Sequence, residues 1–303
     1  MPVSETAGTT CLVVCADSNI FDLLVGLLLS LQGRDRSRYA VGLIDIGLTP
    51  AQREYLGGLC DAIEPVRDTL LVVLPDEVRL KIEGQSPFWR AQGCRPFLPD
   101  YFPGHRYYVH LDADMWVQSF GFLEAARDMM DAGKAVIVPE SDALYRHLYS
   151  WTDSQRYFTD KASLTAQILG DTVARQTGSM PYLNTGFFAL HRDAPHWAVF
   201  KDWLGRAFAR GYHHLSEQIT LNAVIYHLVG QVQTMPAVCN WLCSYATPVR
   251  GPDGVWCTPG YPSRPIELLH LTGTDKVARY RPLGLLYGGG EYLKDIAHLC
   301  PAG

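Results

Sequence analysis

YYVHLDADMWV, residues 107–117, is the stretch on which the fold turns. It opens with aromatic and β-branched residues, as a buried strand does, and then sets two carboxylates two positions apart. Side chains alternate along a strand, so Asp112 and Asp114 project to the same side where the strand runs out. Carboxylates that close repel unless a cation sits between them, and their hard oxygens suit Mg²⁺ or Mn²⁺. The ends of parallel strands are also where α/β sheets take ligands. The bare pair reads as well as a solvated turn; its position after YYVHL is what favours a site.

Upstream, CLVVCA (11–16) is a Val-rich run followed by the polar loop Asp17-Ser18-Asn19 and an apolar helix over 20–32. YAVGLIDIG (39–47) is a second strand stopped by Gly47. Thr49 caps the next helix with Pro50 in its first turn, and 61–66 is a third strand. LLVVLP (70–75) is a candidate strand, and PFWRAQGCRPFLP (87–99) reads as a helix broken by Pro96. Downstream, Ser119 caps a helix over 120–133 that Gly133 closes, AVIVPE (135–140) is a strand, and 143–175 reads as helical. YLNTGFFALH (182–191) is a strand, 194–211 a helix ended by Gly211, and Ser216 starts a helix to about Val229. Residues 236–265 read as irregular before a last strand, PIELLHLTG (265–273). Strands alternating with helices predict an α/β fold with a mixed, mostly parallel central sheet. There is no repeat, linker or low-complexity segment, so a single domain is expected over 1–303.

The 303 residues are 48% hydrophobic and 19% charged with a net charge of −5, which excludes a disordered chain and argues against a nucleic-acid partner. Eight cysteines without any CxxC form neither a disulfide scaffold nor a zinc ribbon, and free thiols in a reducing compartment are expected. The start, MPVSETAGTT, has no basic segment leading into an apolar run, and the apolar stretch Leu23–Leu29 is far short of the roughly 20 residues of a membrane span. A cytoplasmic protein is the expectation. From His270 to Gly303, Lys276, Arg279, Arg281 and Lys294 face Asp275, Glu291 and Asp295. That balance is too even for an electrostatic anchor of about four to eight basic residues, leaving at most peripheral membrane contact.

HLTGTDK (270–276) follows the strand PIELL and offers an imidazole, a flexible Gly273 and a cation suited to phosphate. Taken alone, His270 reads more readily as a hydrogen-bonded structural residue at a strand end. Four elements in order nevertheless resemble the family 8 retaining glycosyltransferases, which have a GT-A fold. CADSN (15–19) resembles the family's alanine-aspartate-x-asparagine loop, LDAD (111–114) its metal-binding acid pair, NTGFF (184–188) its asparagine-x-glycine strand, and HLTGTDK its H-x-x-G-x-x-K pattern.

The resemblance implies that Asp112, Asp114 and His270 ligate Mn²⁺ or Mg²⁺ and that Lys276 touches the donor diphosphate. Asp17 and Asn19 would contact the nucleoside, and Asn184 and Gly186 would lie beside the donor sugar. Arg95 stands where the family often has a donor-binding arginine. Glu217-Gln218, heading a helix, resembles the acid-glutamine pair that faces the reacting sugar; capping of that helix is their plain structural reading. Ile20 replaces a frequent aromatic residue, and Val277-Ala278 a frequent proline-tryptophan. Residues 11–117 would form the nucleotide side, 118–276 the sugar and acceptor side, and 277–303 a tail. The implied activity is retaining transfer of a hexose from a nucleotide sugar, UDP-linked by resemblance, to a hydroxyl acceptor in glycan or glycolipid synthesis. A sugar-nucleotidyltransferase and an inactive nucleotide-sugar-binding module are the alternatives.

Weaker candidates are His213-His214 and the aromatic residues Trp151, Tyr157, Trp241 and Trp256, which are more often turn and core residues. Gly288-Gly289-Gly290 lacks the GK[ST] of a phosphate loop, and there is no GxSxG or HExxH.

Overall fold

Successive residues of strand β1 (Thr10–Ala16) enter two different cores: Leu12, Val14 and Ala16 one, Cys11, Val13 and Cys15 the other. That period-two division is what a sheet covered on both faces requires. The computed structural model describes residues 10–32, 36–86, 88–227 and 232–301. The amino-terminal segment before Thr10, Pro87 and the end of the helix expected to reach Val229 lie outside the described residues.

The further strands are β2 (Tyr39–Asp45), β3 (Ala62–Pro65), β4 (Tyr107–Leu111), β5 (Met115–Val117), β6 (Ala135–Pro139) and β7 (Leu183–His191). They continue with β8 (Val232–Thr234), β9 (Trp241–Leu242), β10 (Val249–Arg250), β11 (Trp256–Cys257) and β12 (Leu268–His270). The central sheet has the order β3-β2-β1-β4-β7-β6-β8. Its β1–β2, β2–β3, β1–β4 and β6–β8 pairings are parallel, and only β7 runs against its neighbours β4 and β6. The expected mixed, mostly parallel sheet is therefore present. A second sheet, β5-β12-β9, stands beside it, and β10 and β11 pair as a short ribbon.

The helix Phe21–Leu31 covers one face with Phe21, Leu24, Leu27 and Leu28 fully buried; each such side chain contributes about 1.5–3 kcal/mol relative to exposure. Thr49 forms the expected cap, with Gln52 N–H donating to its Oγ1 at 3.2 Å and Gln52 Oε1 accepting in return at 3.0 Å.

Several local expectations are corrected. Residues 107–117 are two strands, because Asp112 N–H donates to Gly186 O at 2.8 Å and Met115 N–H turns back to Asp112 O at 3.2 Å. The chain then leaves the central sheet, and β5 pairs antiparallel with β12. Residues 70–75 form no strand: Leu71 and Val72 plug the core while Val73 is 91% exposed, and the chain enters a helix over Asp76–Gln85. Ser119 caps nothing, since the carboxylate of Glu267 takes the Phe122 N–H at that helix start. The region 143–175 resolves into helices Trp151–Leu169 and Asp171–Thr177, divided at Gly170, whose φ of 95° suits glycine. The last strand shrinks to Leu268–His270.

Candidate active site

Asp112 follows β4 in the turn that leads to β5, and His270 ends β12; the β5–β12 pairing carries His270 back over that turn, opposite Met115. One ligand atom from each of Asp112, Asp114 and His270 falls within 4.8 Å of the others, and among the described residues this is the group able to hold a metal ion. His270 Nε2 lies 3.4 Å from Asp114 Oδ1 and 3.8 Å from Asp112 Oδ2. Two carboxylates and an imidazole converging in this way fit a divalent metal ion.

Burial alone would raise the Asp112 carboxyl, but the Arg95 guanidinium and the His110 and His270 imidazoles hold it well below the usual range. Asp114 is likewise lowered: His270 and Lys276 outweigh its burial. Burial pushes His270 down, and Asp114 and then Asp112 lift it above its ordinary value. Both acids are therefore kept ionised and ready for a cation.

The cationic partners also converge. Lys276 opens a short helix after Gly273 (φ 101°) and Asp275 (φ 49°), and its Nζ donates to Asp114 Oδ2 at 2.5 Å. Arg95, 6% exposed, donates to Asp112 Oδ1 at 2.6 Å and to Glu217 Oε2 at 2.8 Å. Glu217, 2% exposed, also accepts from Thr185 at 2.9 Å, and its Oε1 has no hydrogen-bond partner among the described residues. Burial raises its carboxyl despite Arg95. The residue therefore lies behind Arg95 instead of capping the helix Ser216–His227, in whose first turn it stands.

Gln218 points elsewhere, donating to Glu140 Oε1 at 2.9 Å. Asn184, on β7, donates to the same oxygen at 2.8 Å, and its Oδ1 accepts from Gly186 N–H at 3.0 Å and Asn240 Nδ2 at 2.8 Å. Gly186 has a steric reason to be glycine: a Cβ there would stand 2.3 Å from His270 Cε1. Asp17 and Asn19 form a local turn at the carboxyl end of β1, with Asn19 N–H on Asp17 Oδ1 at 2.9 Å. Since β1 runs parallel beside β4, that turn opens at the same end of the sheet as Asp112.

Sequence reasoning missed Glu140, Asn240, His110, Thr185 and Tyr245. His110 approaches Asp112 Oδ1 at 3.2 Å, and burial with the nearby Arg95 pushes its imidazole down to about 4. Tyr245 donates to Glu140 Oε2 at 3.1 Å. Glu140 carried the signal that marked Asp112, an acid closing an apolar strand; Asn240 carried none. Trp241 and Trp256 are core residues, Trp151 is 82% exposed, and the Tyr157 hydroxyl accepts the Tyr182 N–H. His213 accepts the Leu215 N–H in its own turn.

No protein-family profile and no curated protein sequence matches the chain. Solved structures do. A bifunctional glycosyltransferase, WbbM, superposes with a TM-score of 0.63 at 12% identity over 98% of this chain, which spans only 53% of that one. An active-site mutant of LgtC gives 0.56 at 17% identity, and the galactosyltransferase LgtC with donor and acceptor sugar analogues gives 0.54 at 15%, each over 97% of both chains. The chain has the GT-A glycosyltransferase fold. At these identities the likeness speaks for architecture, and the chemistry is argued from the GT-A chain's own site. No helix among the described residues is long and apolar enough to cross a membrane.

Proposed function

We propose that the protein is a metal-dependent retaining glycosyltransferase that moves a hexose from a nucleotide sugar, UDP-linked by preference, to a hydroxyl acceptor. The observation that carries this reading is the convergence of Asp112, Asp114 and His270 at the carboxyl end of a GT-A sheet, with Lys276 against Asp114. Breaking the glycosidic bond leaves growing negative charge on the diphosphate. A divalent ion, Mn²⁺ before Mg²⁺, supplies charge neutralisation there when bound by the two acids and the imidazole. Lys276 adds a second positive charge by turning from Asp114 to the phosphate. Arg95 holds Asp112 in place and balances Glu217. Asp17 and Asn19 take the nucleoside at the mouth of β1, and Gln218 and Gly186 lie on the sugar side. A polar oxygen there stabilises the oxocarbenium-like state. Residues 11–117 serve the nucleotide and 118–276 the sugar and a carbohydrate acceptor. The eight cysteines are free thiols, which suits a cytoplasmic location.

A panel of nucleotide sugars incubated with Mn²⁺ and no acceptor tests the reading: slow release of free nucleotide from one donor is expected. Release of pyrophosphate would instead identify a nucleotidyltransferase, and metal-independent binding of every donor without turnover would identify a binding module.

A further inference from the structure

Asn184 and Asn240 are buried amides, 7% and 1% exposed, in a line of hydrogen bonds from Glu140 to His270. Its direction follows from chemistry. The Glu140 carboxylate only accepts, so the Asn184 edge facing it at 2.8 Å must be the amide nitrogen. The other edge of Asn184 meets Gly186 N–H at 3.0 Å, which only donates, so that edge must be the oxygen. Two independent constraints thus set the same orientation. Asn240 then has to present its nitrogen to Asn184 Oδ1, at 2.8 Å, and its own oxygen to His270 Nδ1, at 2.9 Å. A ring nitrogen facing an amide oxygen must carry the proton. The remaining nitrogen, Nε2, is the one aimed at Asp112 and Asp114.

We propose that Glu140, Asn184 and Asn240 form a one-way hydrogen-bond chain that holds His270 Nδ1 as a donor and so presents Nε2 as the metal ligand. This rests on the metal-site reading and adds three positioning residues to it. Glu140 sits just beyond β6, Asn184 on β7, Asn240 ahead of β9 and His270 at the end of β12, so the chain runs from the central sheet into the small one. Partners of a ligating imidazole commonly change metal affinity or activity by about 10–100-fold when removed. Asn184 is here a positioning residue with no hydrogen bond of its own to His270.

The test is binding of Mn²⁺ alone to the full chain, together with the ¹⁵N-coupled NMR signal of the His270 Nδ1 proton in metal-free protein. Wild type should show a slowly exchanging Nδ1 proton. Asn184→Leu, which leaves His270 and Asn240 in place but frees the Asn240 amide to turn over, should broaden that signal and weaken Mn²⁺ binding by about 10–100-fold. Asn240→Leu should do at least as much. Glu140→Gln removes the charge but can still accept from Asn184 and Gln218, because its amide nitrogen can face the Tyr245 hydroxyl; Mn²⁺ affinity should stay within a few-fold.

An unprotonated Nδ1 in wild type overturns the proposal outright, whatever the variants do. Unchanged proton signal and Mn²⁺ affinity in folded Asn184→Leu overturn it as well. A loss in Glu140→Gln as large as in Asn184→Leu would mean that charge acts and not polarity, which also overturns it. None of these measurements needs turnover, so failure of the transferase reading is recognised separately, by absence of nucleotide release.

Discussion

Gly186→Ala asks whether the glycine of the NTG strand is there for the imidazole. The Cβ it adds would stand 2.3 Å from His270 Cε1 and 2.9 Å from Nδ1, where ordinary contact begins at 3.4 Å. The ring must therefore retreat by the 1.1 Å that separates 2.3 from 3.4 Å, or β7 must move. Neither is free: His270 is 4% exposed and tied at Nδ1 to Asn240, and Asp112 N–H is bonded to Gly186 O. Overpacking of this kind costs about 1–3 kcal/mol, and workable metal sites hold ligand distances to about ±0.2 Å. A displacement several times that tolerance removes His270 from the shell. Loss of Mn²⁺ affinity by at least about tenfold is expected, together with a moderate fall in Tm. The assay is calorimetric titration with Mn²⁺, paired with thermal unfolding in chelator to separate ligand loss from unfolding. A folded Gly186→Ala protein that binds Mn²⁺ as wild type does would refute the reasoning. Only the proposed place of Gly186 on the sugar side would then be left.

Three further outcomes are expected. His270→Asn should shrink the ratio of Mn²⁺-supported to Mg²⁺-supported turnover, because the nitrogen ligand is gone, whereas Lys276→Ala should weaken donor binding with either metal; a metal titration of nucleotide release reads both. Arg95→Met strands Glu217 as a buried charge with Thr185 as its remaining partner, so denaturant unfolding should show a loss of about 3–5 kcal/mol, and adding Glu217→Gln should recover part of it. Because Asp114 and Asp112 lift the His270 imidazole above its ordinary value, a proton competes with the metal up to and beyond about pH 6.5. Mn²⁺ affinity should therefore rise with pH across neutrality, and His270→Asn should flatten that rise. The sign for the metal-free fold is opposite: a raised histidine stabilises it at low pH, and that stabilisation fades as pH climbs through the raised value.

Much of the central sheet was legible because its signals are local. CLVVCA, YAVGLIDIG, AVIVPE and YLNTGFFALH each carry their own apolar run, and Thr49 with Gln52 carries its own cap. The errors fall where the partner is distant in sequence. Nothing in YYVHLDADMWV reveals that Met115–Val117 pairs with Leu268–His270, or that Glu267 displaces Ser119 at a helix start. LLVVLP has a strand's composition, yet no neighbouring strand takes it up.

The site divides in the same way. Asp112 and Asp114 are visible as charges where none should be, at the end of a buried strand. Arg95 and Glu217 are visible only as residue types at plausible places, and their ion pair spans 122 residues. Asn240 is invisible, an amide in an irregular stretch, although it holds the imidazole that reaches both acids. Resemblance put Asn184 and Gly186 beside a sugar; packing supplies an additional reason for each. Asn184 aligns the amide behind His270, and Gly186 leaves its ring room to stand. The roles proposed for this short motif, beside a ligand pocket and behind a metal ligand, part only when a variant such as Gly186→Ala meets one demand and fails the other.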